Sequence, residues 1–266
     1  MGITRITSPI RGALLNRTMT RPTRWLSLTG LGVVSAWTLA ACGGGPPELT
    51  EISESAQQSM EEAESLSYTL SDPDGVHAND LTSLEFAGQT DQANFAINAN
   101  TADMDMEILV VDQETTFIRM TFTDENMQAM FDAEGIEEGQ WIQTPESEVA
   151  DIEQFTDEFE GLSDRTFALT EGLTEEDLEA VEVEETELED QAVYKYTVPA
   201  TGDTETELYP GADTVTFYFS QDTSELVQVE ASADENTATH TYGDYDAVDP
   251  VEAPPEDEIA DLDWEF

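Results

Sequence analysis

Apolar and polar positions alternate with a period of two, as in strands with one buried face, through two stretches of this chain. In the first, "LTSLEFAG" (81–88) places Leu84 and Phe86 on one face, and "QANFAINAN" (92–100) does the same with Phe95 and Ile97. "DMDMEILVV" (103–111) sets Met104, Met106, Ile108 and Val110 against Asp105, Glu107 and Leu109, and "TTFIRMTF" (115–122) sets Ile118, Met120 and Phe122 against Phe117 and Arg119. Short joints such as "GQTD" and "NANTAD" separate these runs, which predicts an antiparallel meander. In the second stretch "EAVEVEETEL" (179–188) and "QAVYKYTVPA" (191–200) read as a hairpin around Glu189 and Asp190. "DTVTFYFS" (213–220) and "ELVQVEASA" (225–233) read as another, and "TATHTYGDY" (237–245) closes the series. In "DTVTFYFS" one face carries Val215, Phe217 and Phe219 and the other Thr214, Thr216 and Tyr218, so part of the sheet is expected to be covered.

The helical period is rarer. "LTEISESAQQSMEEAES" (49–65) offers Thr50 as N-cap and a stripe of Ile52, Ala56, Met60 and Ala63. "SEVADIEQFTDEFEGL" (147–162) puts Val149, Ile152, Phe155, Phe159 and Leu162 on one face. "TEEDLEAV" begins with Thr174 and Asp177 at capping-box spacing. "TDENMQAMF" (123–131) reads as a short helix with Met127, Met130 and Phe131 inward. A few helices on one side of an antiparallel sheet define an α+β domain.

The start of the chain is different in kind. Residues 1–41 hold Arg5, Arg11, Arg17, Arg21 and Arg24 and no acid, followed by the mostly apolar run "WLSLTGLGVVSAWT" (25–38). A basic region, an apolar stretch of this length and small residues at its end mark a secretory signal peptide, and the run is short of the ~20 residues of a spanning helix. Leu39, Ala40, Ala41 and Cys42 then resemble a bacterial lipobox, in which a diacylglycerol is attached to the cysteine sulfur and a peptidase cuts just before it. Cys42 is the only cysteine, so a lipid anchor accounts for it without a disulfide partner. The alternative is an incidental small residue in an ordinary cleavage region. Gly43, Gly44 and Gly45 with Pro46 and Pro47 read as a tether over 42–48.

All 60 acidic residues lie beyond residue 41, against Arg119, Arg165 and Lys195 alone. Such a surface disfavours nucleic acid and anionic lipid headgroups as partners. The acid is spread evenly, which fits a solubility adaptation to high salt better than a localised interaction tail. Dialysis into low salt is then expected to lower the melting temperature.

The order of elements resembles the LppX/LprA/LprF/LprG lipoproteins of actinobacteria, whose fold is similar to the carriers LolA and LolB. The features that carry it are the lipobox, a first helix, a four-strand meander, "GQWIQT" (139–144), a helical middle, hairpins of the type "VTFYFSQDTSELVQVE" and the closing "TYGDYDAVDPVEAPPEDEI". The resemblance implies a strongly curved, incomplete β-barrel over residues 49–254 with helices covering its concave side, followed by an acidic tail (255–266). It implies an apolar cavity for a lipid or glycolipid, and a monomeric lipoprotein held by Cys42 on the extracytoplasmic face of the cell membrane. Burial of acyl chains is worth about 0.8 kcal/mol per CH₂, so such binding needs neither catalysis nor a cofactor.

Five of the eight methionines lie between residues 104 and 130, and methionine suits adaptable apolar surfaces. The candidate pocket residues are Phe86, Phe95, Ile97, Met104, Met106, Ile108, Ile118, Met120, Phe122, Met127, Met130 and Phe217. The same alternation describes ordinary core filling, so a non-catalytic scaffold or docking lipoprotein with a filled core stands as the alternative. An enzyme finds little material. His77 and His240 are the only histidines, too few for a histidine-based metal centre or triad, and His240 in "TATHTYG" reads as a strand-face residue. "SDPDG" (71–75) reads as a turn, because Gly75 comes too early for an EF-hand loop.

Overall fold

The computed structural model describes residues 45–76, 81–91, 93–113, 115–144, 161–200, 209 and 211–262. Gly43–Phe266 is one compact unit and Met1–Cys42 another. The signal sequence, the lipobox, Cys42 and most of the helix expected over 147–162 lie outside the described residues.

Helix α1 (Leu49–Glu62) buries Leu49, Ile52, Ser53, Ala56 and Met60. Its N-cap is Glu48, not Thr50. Pro47 lacks a backbone N–H and fixes its own φ, so the helix can start just behind it, with the Ile52 amide donating to the Glu48 carbonyl at 3.1 Å. The helix ends three residues before the expected segment (49–65) does, and β1 (Ser65–Ser71) follows with Leu66, Tyr68 and Leu70 buried. Then come β2 (Leu81–Gln89), β3 (Phe95–Thr101), β4 (Met104–Val111) and β5 (Thr115–Phe122), the expected meander. The "SDPDG" segment is a turn in which the Asp72 carboxylate accepts from the Val76 amide at 2.7 Å.

Helix α2 (Glu125–Ala133) is capped by Asp124, whose side chain accepts from the Asn126 amide. That bond holds the Asp124 carboxyl below its ordinary pKa. The short β6 (Ile142–Thr144) precedes α3 (Leu162–Glu171) and α4 (Glu175–Glu179). α4 starts on the anticipated capping box, in which Thr174 accepts from the Asp177 amide and the Asp177 carboxylate accepts from Thr174. Strands β7 (Glu182–Leu188), β8 (Gln191–Pro199), β9 (Thr214–Ser220), β10 (Leu226–Ala233) and β11 (Asn236–Gly243) follow, and a 3-10 turn comes after them at Glu256–Glu258. The β7–β8 hairpin turns on Glu189 and Asp190, both in the left-handed region (φ 50° and 71°), as the right-handed twist of a two-residue hairpin requires.

Neighbouring strands are antiparallel throughout, in the order β6-β5-β4-β3-β2-β1-β11-β10-β9-β8-β7. The first meander and the second are thus joined by the β1–β11 pair, where Tyr68 lies opposite Tyr242 and Leu70 opposite His240. The sheet stays open, with β6 and β7 at its two edges. One face, called inner here, packs on α1 and α3, which makes the domain α+β. Beyond β11, residues 255–262 lie beside β6: the Trp141 amide donates to the Glu258 carbonyl and the Ala260 amide to the Trp141 carbonyl, both at 2.8 Å.

Candidate functional site

Two rows of side chains cross the inner face. One runs Met120, Met106, Ala99, Leu84, Leu70, His240, Val229, Phe217, Tyr196 and Val183, each opposite the next across β5 to β7. The other runs Ile142, Ile118, Ile108, Ile97, Phe86, Tyr68 and Tyr242. Registers of this kind are fixed by the period-two alternation, since a slip by one residue would move every apolar group to the other face.

Burial changes along these rows. His240, Val229 and Phe217 are 0 % exposed, whereas Met106, Met120 and Ile118 are only half-buried. The longer row is open at both ends: Val183 at the β7 edge is 48 % exposed, and at the other end Leu84, Met106 and Met120, with Met104, Ile118 and Phe122 beside them, are half-buried on β2, β4 and β5. The neighbours of these six on the other face include Asp105, Glu107 and Arg119 beside the buried Phe117, and Arg119 donates to the Glu107 carboxylate at 2.6 and 2.8 Å. Arg119 also lies over Trp141, 4.3 Å from the ring centre. The inner strip is therefore apolar at all six positions, and the charges of these strands are held on the other side.

The twelve pocket candidates divide accordingly. Phe86, Phe95, Ile97, Ile108 and Phe217 belong to the sealed core, with Phe86 and Phe95 stacked 5.6 Å apart. Phe95 rests on Gly88, where a Cβ would come within 2.3 Å of the Phe95 Cβ. Met106 and Ile118 pack on the edge of that core, and Met104, Met120 and Phe122 are half-buried beyond it. Met127 and Met130 do not face inward: they are 43 % and 63 % exposed. The helix packs on the sheet through Phe131, whose ring is 4.9 Å from that of Phe122, and none of its residues is buried, so the two methionines on the neighbouring positions stay in solvent.

A polar cluster that periodicity does not reveal lies under α3. The Tyr68 hydroxyl and His240 Nδ1 share a hydrogen bond of 2.9 Å, and His240 is wholly buried. The Tyr242 hydroxyl meets Thr166 Oγ1 of α3 at 3.0 Å, and the Tyr209 hydroxyl donates to the Thr166 carbonyl at 3.3 Å. The Tyr209 ring stands edge-on to His240 at 5.3 Å and to Phe217 at 6.3 Å. Burial pushes the Tyr209 and Tyr242 phenols far above their ordinary pKa, and the Thr166 bond pulls Tyr242 part of the way back. Both stay neutral, hydrogen-bonding groups at any physiological pH. At the start of α1, the Tyr196 hydroxyl donates to the Pro47 carbonyl at 2.7 Å and pins the chain where it enters the domain. Among the described residues no helix is long and apolar enough to cross a membrane.

No family model matches the sequence, and no curated protein matches it. Among solved structures the chain is similar to LprF from Mycobacterium bovis, at 14 % identity over 80 % of this chain and 99 % of that one, with a TM-score of 0.49. It is also similar to the lipoprotein LppX of Mycobacterium tuberculosis, at 13 % identity over 79 % of this chain and 100 % of that one, with a TM-score of 0.45. A LolA superfamily protein from Nitrosomonas europaea follows at 11 % identity, covering 80 % of this chain and 97 % of its own, with a TM-score of 0.24.

Proposed function

We propose that this chain is a non-catalytic envelope lipoprotein that holds the acyl part of a lipid against the half-open strip of β2, β4 and β5. The observation that carries the reading is the step in burial along one row, apolar but for His240, from Phe217 at 0 % exposed to half-buried Met106 and Met120. A strip of flexible, polarisable side chains beside a rigid, filled core offers an adaptable surface, on which alkyl chains gain about 0.8 kcal/mol per CH₂ removed from water. Met106→Trp and Ile118→Trp fill the space over the strip. Each is expected to cut uptake of a fluorescent fatty acid by the Gly43–Phe266 unit, and undiminished uptake in both would refute the assignment.

Cys42, in this reading, carries the diacylglycerol and holds the domain at the extracytoplasmic face of the cell membrane. Four residues separate it from Pro47, whose carbonyl is clamped by Tyr196, so the tether is five steps long and spans at most about 18 Å when fully extended, at ~3.6 Å per residue. Cys42→Ser should abolish incorporation of labelled palmitate and move the protein out of the membrane fraction. Incorporation that survives the substitution would place the lipid elsewhere.

A further inference from the structure

Beyond residue 41 three basic side chains stand among 60 acidic ones. Two are held by carboxylates on the outer face of the sheet: Arg119 by Glu107, and Lys195, more loosely, by Glu184 at 3.8 Å. The third, Arg165, is on α3, the helix that closes the inner face. It is half-buried, and among the described residues its side chain makes no ion pair or hydrogen bond. In a chain so rich in carboxylates, an arginine without one is an exception. Withdrawing a guanidinium from water without a partner also costs free energy, which an incoming anion would recover.

Its position is specific. On α3 the buried residues are Leu162, Thr166, Phe167, Leu169 and Thr170. Arg165 lies three residues after Leu162 and four before Leu169, beside them on the flank of that buried stripe. The next residue, Thr166, meets the buried Tyr242 hydroxyl at 3.0 Å. Half-buried Arg165 thus lies on α3 between the helix's buried stripe and its exposed side, one residue from the Tyr242–Thr166 pair.

We propose that Arg165 receives the anionic head group, a carboxylate or a phosphate, of an acyl ligand whose chain lies on the inner face of the sheet. The inference rests on the carrier reading above and adds the class of ligand to it. A guanidinium fork suits either anion, and the surrounding acid repels anions everywhere else, so this one cation selects where such a head group settles. The expectation that the acidic surface excludes anionic lipids therefore gives way at one point.

The test uses the Gly43–Phe266 unit with three probes, oleate, oleyl alcohol and inorganic phosphate, on wild type, Arg165→Gln and Arg165→Lys. Arg165→Gln is expected to weaken oleate about tenfold, the worth of one hydrogen bond to a charged group, while oleyl alcohol changes less than about twofold. Arg165→Lys should recover part of the loss, and the unfolding midpoint should not fall in either variant, because no described bond is lost and Arg165→Gln relieves an unpartnered charge. Equal effects on oleate and oleyl alcohol, or none on either, overturn the head-group site and leave the carrier reading standing. Failure of wild type to bind either lipid probe overturns both. Inorganic phosphate binding in the same range as oleate, and lost in Arg165→Gln, would make the occupant a free anion and also overturn the assignment.

Discussion

Phe217 and Val229, towards one end of the longer inner row, are wholly buried in a cluster that includes Ile52 and Ala56 of α1 and Phe167 and Leu169 of α3. Met106 and Met120, reached from them through His240, Leu70, Leu84 and Ala99, are half-open. The strands at both ends alternate equally well, so strand pattern alone does not separate filled core from available surface. What separates them is the covering layer and the kind of side chain. Branched and aromatic groups with few rotamers fill the sealed half, and unbranched methionines occupy three of the six half-open positions.

The largest expected difference between the halves is in stability. Phe217→Ala should cost roughly 3–5 kcal/mol in denaturant unfolding, the usual range for emptying a sealed aromatic site, and Met120→Ala only roughly 1 kcal/mol. Equal costs would erase the distinction. Next comes Gly88→Ala, at the inner edge of the sealed core. The added methyl would meet the Phe95 backbone as well as its Cβ, at 2.7 and 2.3 Å, and overpacking of this sort costs roughly 1–3 kcal/mol.

The halves should also differ in their response to alkali. The Tyr209 and Tyr242 phenols have folded pKa values raised by burial above the ordinary value of about 10. The stability they contribute is therefore complete below about pH 10 and lost as pH rises past it, because the unfolded chain ionises first. Tyr242→Phe should flatten the fall of stability with pH in that range, whereas Met120→Ala should leave its slope unchanged. The smallest effect is expected outside both regions. Thr174→Ala removes the cap of α4 and should cost roughly 0.5–1 kcal/mol without altering acyl uptake.

Much of the sheet is legible in the sequence because one physical rule, two residues per pleat, fixes both strand and face. Met104 to Val110 and Thr214 to Ser220 are cases where pattern and structure agree. β1 is hidden although Leu66, Tyr68 and Leu70 alternate, because its first residue continues the helical run of α1 without a break such as glycine or proline. In α2 the i, i+3, i+4 spacing of Met127, Met130 and Phe131 reads as one inward face, yet the helix buries none of its residues and of these three only Phe131 is half-buried, against Phe122. Nor does periodicity mark the cluster of Tyr68, Tyr209, Tyr242 and His240: its groups come from β1, β11 and an irregular stretch, and only the fold brings them together. Arg165 carries a usable signal, its rarity among carboxylates, but its lack of a partner among the described residues is visible only in three dimensions.

An acyl chain that lies on the half-open strip, and not within the sealed half, should be open to photolabelling there. A fatty acid carrying a diazirine along its chain, photolysed on the Gly43–Phe266 unit and mapped by peptide mass spectrometry, should leave adducts on Met104, Met106, Ile118 or Met120, competed away by unlabelled oleate. Adducts confined to outer-face residues such as Leu109 and Phe117, or none that oleate displaces, would contradict this placement.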